Sequence, residues 1–102
     1  MVEDRVNIKI WQLRSGETMA AICDCNLIGK RVTQGKLVLD ICKDFYGGEE
    51  VNIDAAVGLL RKATVANFVG TLAVSCGIAA GMIHRDAIIE VGGVPHAQFI
   101  LI

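Results

Sequence analysis

His96 and Gln98 stand in the segment Gly92-Gly93-Val94-Pro95-His96-Ala97-Gln98, between apolar runs Ala87–Val91 and Phe99–Ile102 that read as strands. An imidazole can titrate or donate a proton near neutral pH, and a carboxamide can orient a ligand. The Gly pair and the chain's single proline would present both groups on a turn of restricted geometry. Pro95 fixes its own φ and pushes Val94 toward extended backbone. The amides of Gly92 and Gly93, following a strand end, could form a small anion-binding nest. The simpler reading of an isolated histidine is structural: a strand connection with the imidazole satisfied by a backbone carbonyl.

Other chemistry-bearing residues are scattered. Cys23-x-Cys25 would put two thiols on one face of a strand, yet zinc frameworks space their ligands wider and bring a second pair. Cys42, Cys76, His84 and His96 do not supply it, so no metal is expected. Tyr46-Gly47-Gly48-Glu49-Glu50 carries a phenol and two carboxylates beside a flexible turn, as acid–base chemistry would want. It also suits a Phe45-Tyr46 pair plugging a core, with Glu49 and Glu50 heading a helix. Lys30, Arg31 and Lys36 form the basic cluster of note, able to meet phosphates or simply solvated. Nucleotide-binding glycine loops, Gly-x-Ser-x-Gly, His-Glu-x-x-His and calcium loops are missing, and no cofactor is implied.

The elements that must position these groups follow from periodicity. Val6–Leu13 alternates, with Val6, Ile8 and Ile10 on one face; Arg14–Glu17 signals a turn, and Thr18–Cys23 returns. Asp24–Gly35 is irregular, and Lys36–Ile41 makes a third strand, which suggests an antiparallel meander. Asn52 is a candidate N-cap, with Asp54 in the first turn of a helix carrying Ile53, Ala56, Val57 and Leu60 to near Ala63. Thr64 would cap a second helix, with Val65, Phe68, Val69, Leu72, Ala73, Cys76, Ala79 and Ala80 at helical spacing and Gly81 as its stop.

No charged side chain occurs from Ala63 through Ile83. Such a run could span a bilayer, but Asn67, Thr71 and Ser75 give it a polar stripe, so a buried helix is expected rather than a membrane span. Burial on all sides in a small domain points to a homo-oligomer contact on this helix. The 102 residues make a single domain, 53% hydrophobic and 21% charged, with ample core material and no disorder signature. A net charge of −1 and 5% aromatic content oppose, without excluding, nucleic-acid binding. The polar start lacks a secretory pattern, so the thiols are expected in a reducing cytoplasm.

Read together, these segments resemble a known family. Ile22-Cys23-Asp24, Leu27-Ile28-Gly29-Lys30, Leu37-Val38-Leu39, Phe45-Tyr46-Gly47-Gly48, Ala63-Thr64-Val65-Ala66-Asn67, Val69-Gly70 and Gly92–Gln98 are similar to the small archaeal "domain of unknown function 424" family, in order along nearly the whole chain. The resemblance implies an archaeal cytosolic protein and carries over no activity. Cys25 departs from a usually charged family position, and Thr71, Leu72 and Ser75 replace a usually charged helix face, which again suggests an oligomer contact.

The expected fold is α+β: a three-stranded antiparallel unit, two helices and two C-terminal strands, with the helices on one face of a single sheet. The expected function is a non-catalytic binding module using Gly92, Gly93, Pro95, His96 and Gln98 with Tyr46, Gly47, Gly48 and Asn67. An enzyme using His96 as acid or base is the alternative, and an RNA-associated module using Lys30, Arg31 and Lys36 ranks below it.

Overall fold

The computed structural model describes residues 4–102, and Met1–Glu3 lie outside the described residues. Strands β1 (Arg5–Gln12) and β2 (Thr18–Asp24) form the expected antiparallel pair, from Val6 opposite Asp24 to Gln12 opposite Thr18. Further along come β3 (Arg31–Gln34), β4 (Leu37–Asp40), the short helix α1 (Lys43–Tyr46) and β5 (Glu49–Asn52). Then follow α2 (Ile53–Leu60), β6 (Val65–Val69), α3 (Thr71–Ala79), β7 (Ile89–Val91) and β8 (Val94–Ile100). The main sheet is six-stranded, in the order β5-β1-β2-β6-β8-β7. Among the described residues only β2 and β6 run parallel; the other neighbours are antiparallel.

The α+β class holds, with two corrections. Lys36–Ile41 does not extend a meander: β4 pairs with β3 in a separate two-stranded hairpin. More consequentially, Val65–Val69 is a strand in the middle of the sheet. Val65, Phe68 and Val69 suit extended backbone, and the segment splits between faces, Ala66 and Phe68 to one, Asn67 and Val69 to the other. A strand buried on both faces is apolar almost throughout, which mimics helical spacing over a short run. Thr64 accordingly caps no helix; its backbone N–H donates to the Thr18 carbonyl at 2.9 Å.

The α2 expectations stand. The Asn52 side chain accepts from the Ala55 N–H at 2.8 Å, and Asp54 sits in the first turn, although the helix stops at Leu60. Helices α2 and α3 cover one sheet face, burying Ala56, Leu60, Ala73 and Cys76 against Val6, Ile22, Ala66, Phe68 and Ala97. On the opposite face, Leu39 and Ile41 of the hairpin segment and Tyr46 of α1 close over Ala21, Cys23 and Val69. Among the described residues no helix is long and apolar enough to cross a membrane.

Candidate functional site

Because β2 and β6 are parallel, with Cys23 opposite Val69, both end at one margin of the sheet. There β6 runs into Gly70 and α3, β2 runs into the turn Cys25–Leu27, and the antiparallel β8 begins. The Gly70 N–H donates to the Pro95 carbonyl at 2.8 Å. Between these segments lies a crevice of about 180 Å³, lined by Asp24, Asn26, Leu27, Gly70, Thr71, Gly93, Val94 and Pro95.

Asp24 organises its floor. The carboxylate accepts from the Ala73 N–H at 2.8 Å and the Leu72 N–H at 3.2 Å, so a residue of β2 caps α3. Gly70 makes this possible: its φ is +107°, and a Cβ there would fall on the Asp24 carboxylate. The helix end, which in other proteins attracts an external anion, is thus filled by the protein's own negative charge. The crevice therefore offers acceptor oxygens and suits a donor-bearing group better than a phosphate.

The expected turn Gly92–Gln98 is shorter than its sequence suggests. Only Gly92 and Gly93 turn, with φ of +56° and +81°, forming a two-residue hairpin that closes on Val91 opposite Val94. No nest forms, since the Gly92 N–H donates to Gln34 Oε1 at 2.8 Å and Val32 lies close against the glycine. The turn is the latch that holds the β3–β4 hairpin over the sheet. Pro95 lies in β8 with its carbonyl toward Gly70, where β6 has ended, so its missing N–H breaks no ladder bond.

His96 and Gln98 are strand residues alternating with Ala97, which faces the helices. His96 Nδ1 lies 3.0 Å from the Phe68 carbonyl and must donate to it, which places the proton on Nδ1 of the neutral ring. Burial lowers the His96 pKa, and the Phe68 bond opposes this in part. Among the described residues no carboxylate shares this bond. Gln98 Nε2 donates to Asn67 Oδ1 at 2.9 Å, bringing two expected residues together in mid-sheet, away from the crevice.

Tyr46 is buried, and burial, with the nearby Cys23, pushes its phenol up to about 12. Phe45 stacks on Trp11 at 5.9 Å and meets Tyr46 edge-on at 4.9 Å, so this pair plugs the core. Gly47 closes α1 through its N–H to the Lys43 carbonyl at 2.7 Å, and Gly48 borders a different cavity with Ile8, Lys9, Ile10, Glu49 and Leu59. Glu49 and Glu50 head no helix; they belong to β5, and Glu50 pairs with Arg5 at 3.6 Å. Lys30, Arg31 and Lys36 are exposed around the hairpin, with Arg31 opposite Asp40.

The cysteines do not converge as strand neighbours, because β2 ends at Asp24 and Cys25 turns away, its Sγ 3.5 Å from the Arg5 carbonyl. Burial pushes Cys23 up to about 12 and Cys76 up to about 11, which leaves both as protonated core side chains. Asp24, Asn26, Leu27, Gly70, Thr71 and Val94 are the crevice residues outside the expected site. Their signal was positional: an acid at the end of one strand and a glycine at the end of another.

Fold and site together define a small α+β protein with a mixed sheet and a crevice at the shared ends of its parallel strands. The chain belongs to the family described as Protein of unknown function (DUF424), whose model matches residues 13–102. It is similar in structure to an uncharacterized conserved protein from Methanopyrus kandleri, at 33% sequence identity and a TM-score of 0.82, covering 95% of this chain and 92% of that one. Comparison with curated proteins returned no match.

Proposed function

We propose that the protein is a non-catalytic binding module whose ligand enters the crevice between Asp24–Leu27, Gly70–Thr71 and Gly93–Pro95. One observation carries this reading: segments distant in sequence converge where two parallel strands end, the position at which open sheets with parallel strands bind ligands. The original candidate turn contributes Gly93 and Pro95, while His96, Gln98 and Asn67 support the neighbouring strands. The negative charge of Asp24, the Asn26 and Thr71 side chains and the small volume favour a compact group with N–H donors, such as a guanidinium, ammonium or primary amide.

Amide-detected NMR titration with methylguanidinium, methylammonium, acetamide and inorganic phosphate tests the assignment. Shifts gathered at Asn26, Gly70, Thr71 and Gly93 with the donor-bearing probes, and none with phosphate, are expected. Absence of shifts with all the probes, or shifts centred on His96 and Tyr46, would contradict it.

A further inference from the structure

The two margins of the main sheet are guarded unequally. At one margin β5 carries exposed Glu49 and Glu50, charges that repel a second strand. At the other, β7 covers β8 only through His96, which pairs with Ile89. Beyond it, β8 continues through Gln98 and Ile100 with no strand among the described residues on its outer side.

The direction of the backbone groups follows from bonds on the inner side. The Pro95 carbonyl accepts from Gly70, and the Leu101 N–H donates to Thr64 at 2.8 Å, so odd-numbered residues face β6. Even-numbered residues therefore present N–H and C=O outward, and at Gln98 and Ile100 no strand among the described residues receives them. No charged side chain occurs from Ala97 to Ile102, and Ile100, Leu101 and Ile102 are all exposed. An uncharged, apolar, unpaired edge is a template for strand addition.

The edge also has neighbours that continue its character. Trp11, Met19, Val65 and Ile100 lie in one row across β1, β2, β6 and β8, on the face away from α2 and α3. On the other face Phe99 and Leu101 border a cavity of about 370 Å³ that Leu60, Ala63 and Met82 also line.

We propose that two copies of the chain pair through the Gln98–Ile102 margin of β8, antiparallel about a two-fold axis at Ile100. The occupant is a second copy because an antiparallel strand is self-complementary: about this axis Ile100 meets Ile100 of the partner, and Gln98 meets the partner's Ile102. β7 selects this register. An axis one residue earlier, at Phe99, would set the partner's Ile102 against His96, whose outer side Ile89 already holds. The pairing joins two six-stranded sheets, makes the row of Trp11, Met19, Val65 and Ile100 continuous across the axis, and places no like charges together. It closes on itself, so it forms a dimer and not a fibre.

This contact competes with one on α3, whose exposed side is the narrow stripe Thr71, Ser75 and Ala79. Sedimentation equilibrium at micromolar concentration distinguishes them. The native chain is expected at twice the chain mass. Ile100→Pro removes an N–H aimed at the partner while leaving the β6 ladder intact, and Ile100→Lys sets two ammonium groups at the axis. Each is expected to raise the dimer Kd at least tenfold with an unchanged far-ultraviolet circular dichroism spectrum. Should Ile100→Pro fail to fold, Ile100→Lys decides, since that side chain is 65% exposed. A monomeric native chain, Ile100 variants that remain dimeric, or dissociation by Ser75→Glu instead would overturn the proposal.

Discussion

Replacing Asp24 by alanine removes a connection that spans the fold, because this β2 residue supplies the cap of α3. The loss can be worked from the two bonds, at 2.8 Å to the Ala73 N–H and 3.2 Å to the Leu72 N–H. A helix cap contributes about 1 kcal/mol, and the second bond and the charge near the helix N-terminus together contribute about another 1–2 kcal/mol. Asp24→Ala should therefore cost about 2–3 kcal/mol, or a fall in Tm of roughly 10–20 °C for a domain of this size. Asp24→Asn keeps one acceptor oxygen but turns an amide N–H₂ toward a backbone donor, for a cost of about 1–2 kcal/mol. Gly70→Ala drives its Cβ onto the same carboxylate, so its cost should shrink in an Asp24→Gly background to the residual strain at φ +107°. Urea unfolding followed by circular dichroism, with the slope checked for constancy, measures all of these. A cost below about 0.5 kcal/mol for Asp24→Ala would refute the idea that this carboxylate fastens α3 to the sheet.

Two further outcomes follow from the neighbouring strands. The His96 pKa is lowered from 6.5 by burial, so the folded state prefers the neutral ring; its contribution is complete above that value and is lost as pH falls below it. His96→Gln should flatten the part of the stability profile that lies below pH 6.5, and an unchanged profile counts against a half-buried, neutral imidazole. Gly92→Ala must bear left-handed backbone and a collision with Val32, for about 2–4 kcal/mol. Gly93→Ala meets nothing within 4 Å and should cost about 1–2 kcal/mol, so equal thermal shifts in the two variants would deny the latch with the β3–β4 hairpin.

How legible this was depends on the residue. The hairpin of β1 and β2, the Asn52 cap and the helix behind it were readable because alternation, capping and turn signals are local. The strand β6 was not, because Val65, Phe68 and Val69 satisfy helical spacing while their real constraint is burial on both faces of a sheet that forms only with β2 and β8. Gly92–Gln98 was readable as a special segment and misread in extent, since a proline suggests a turn unless the neighbouring strand has ended beside it. Asp24 was invisible for a related reason. Its bonding partners lie nearly fifty positions along the chain, and no short motif records that distance.

The most direct measurement of the central claim compares donor-probe binding by the native chain and by Asn26→Trp, a bulky substitution at an exposed residue that lines the 180 Å³ crevice and takes no part in the Asp24 bonds to α3. The account predicts methylguanidinium shifts at Gly70, Thr71 and Gly93 in the native chain and at least a tenfold weaker titration in the variant, at unchanged Tm. Equal titrations in the two proteins would show that the probe binds elsewhere and would contradict the assignment of this crevice as the binding site.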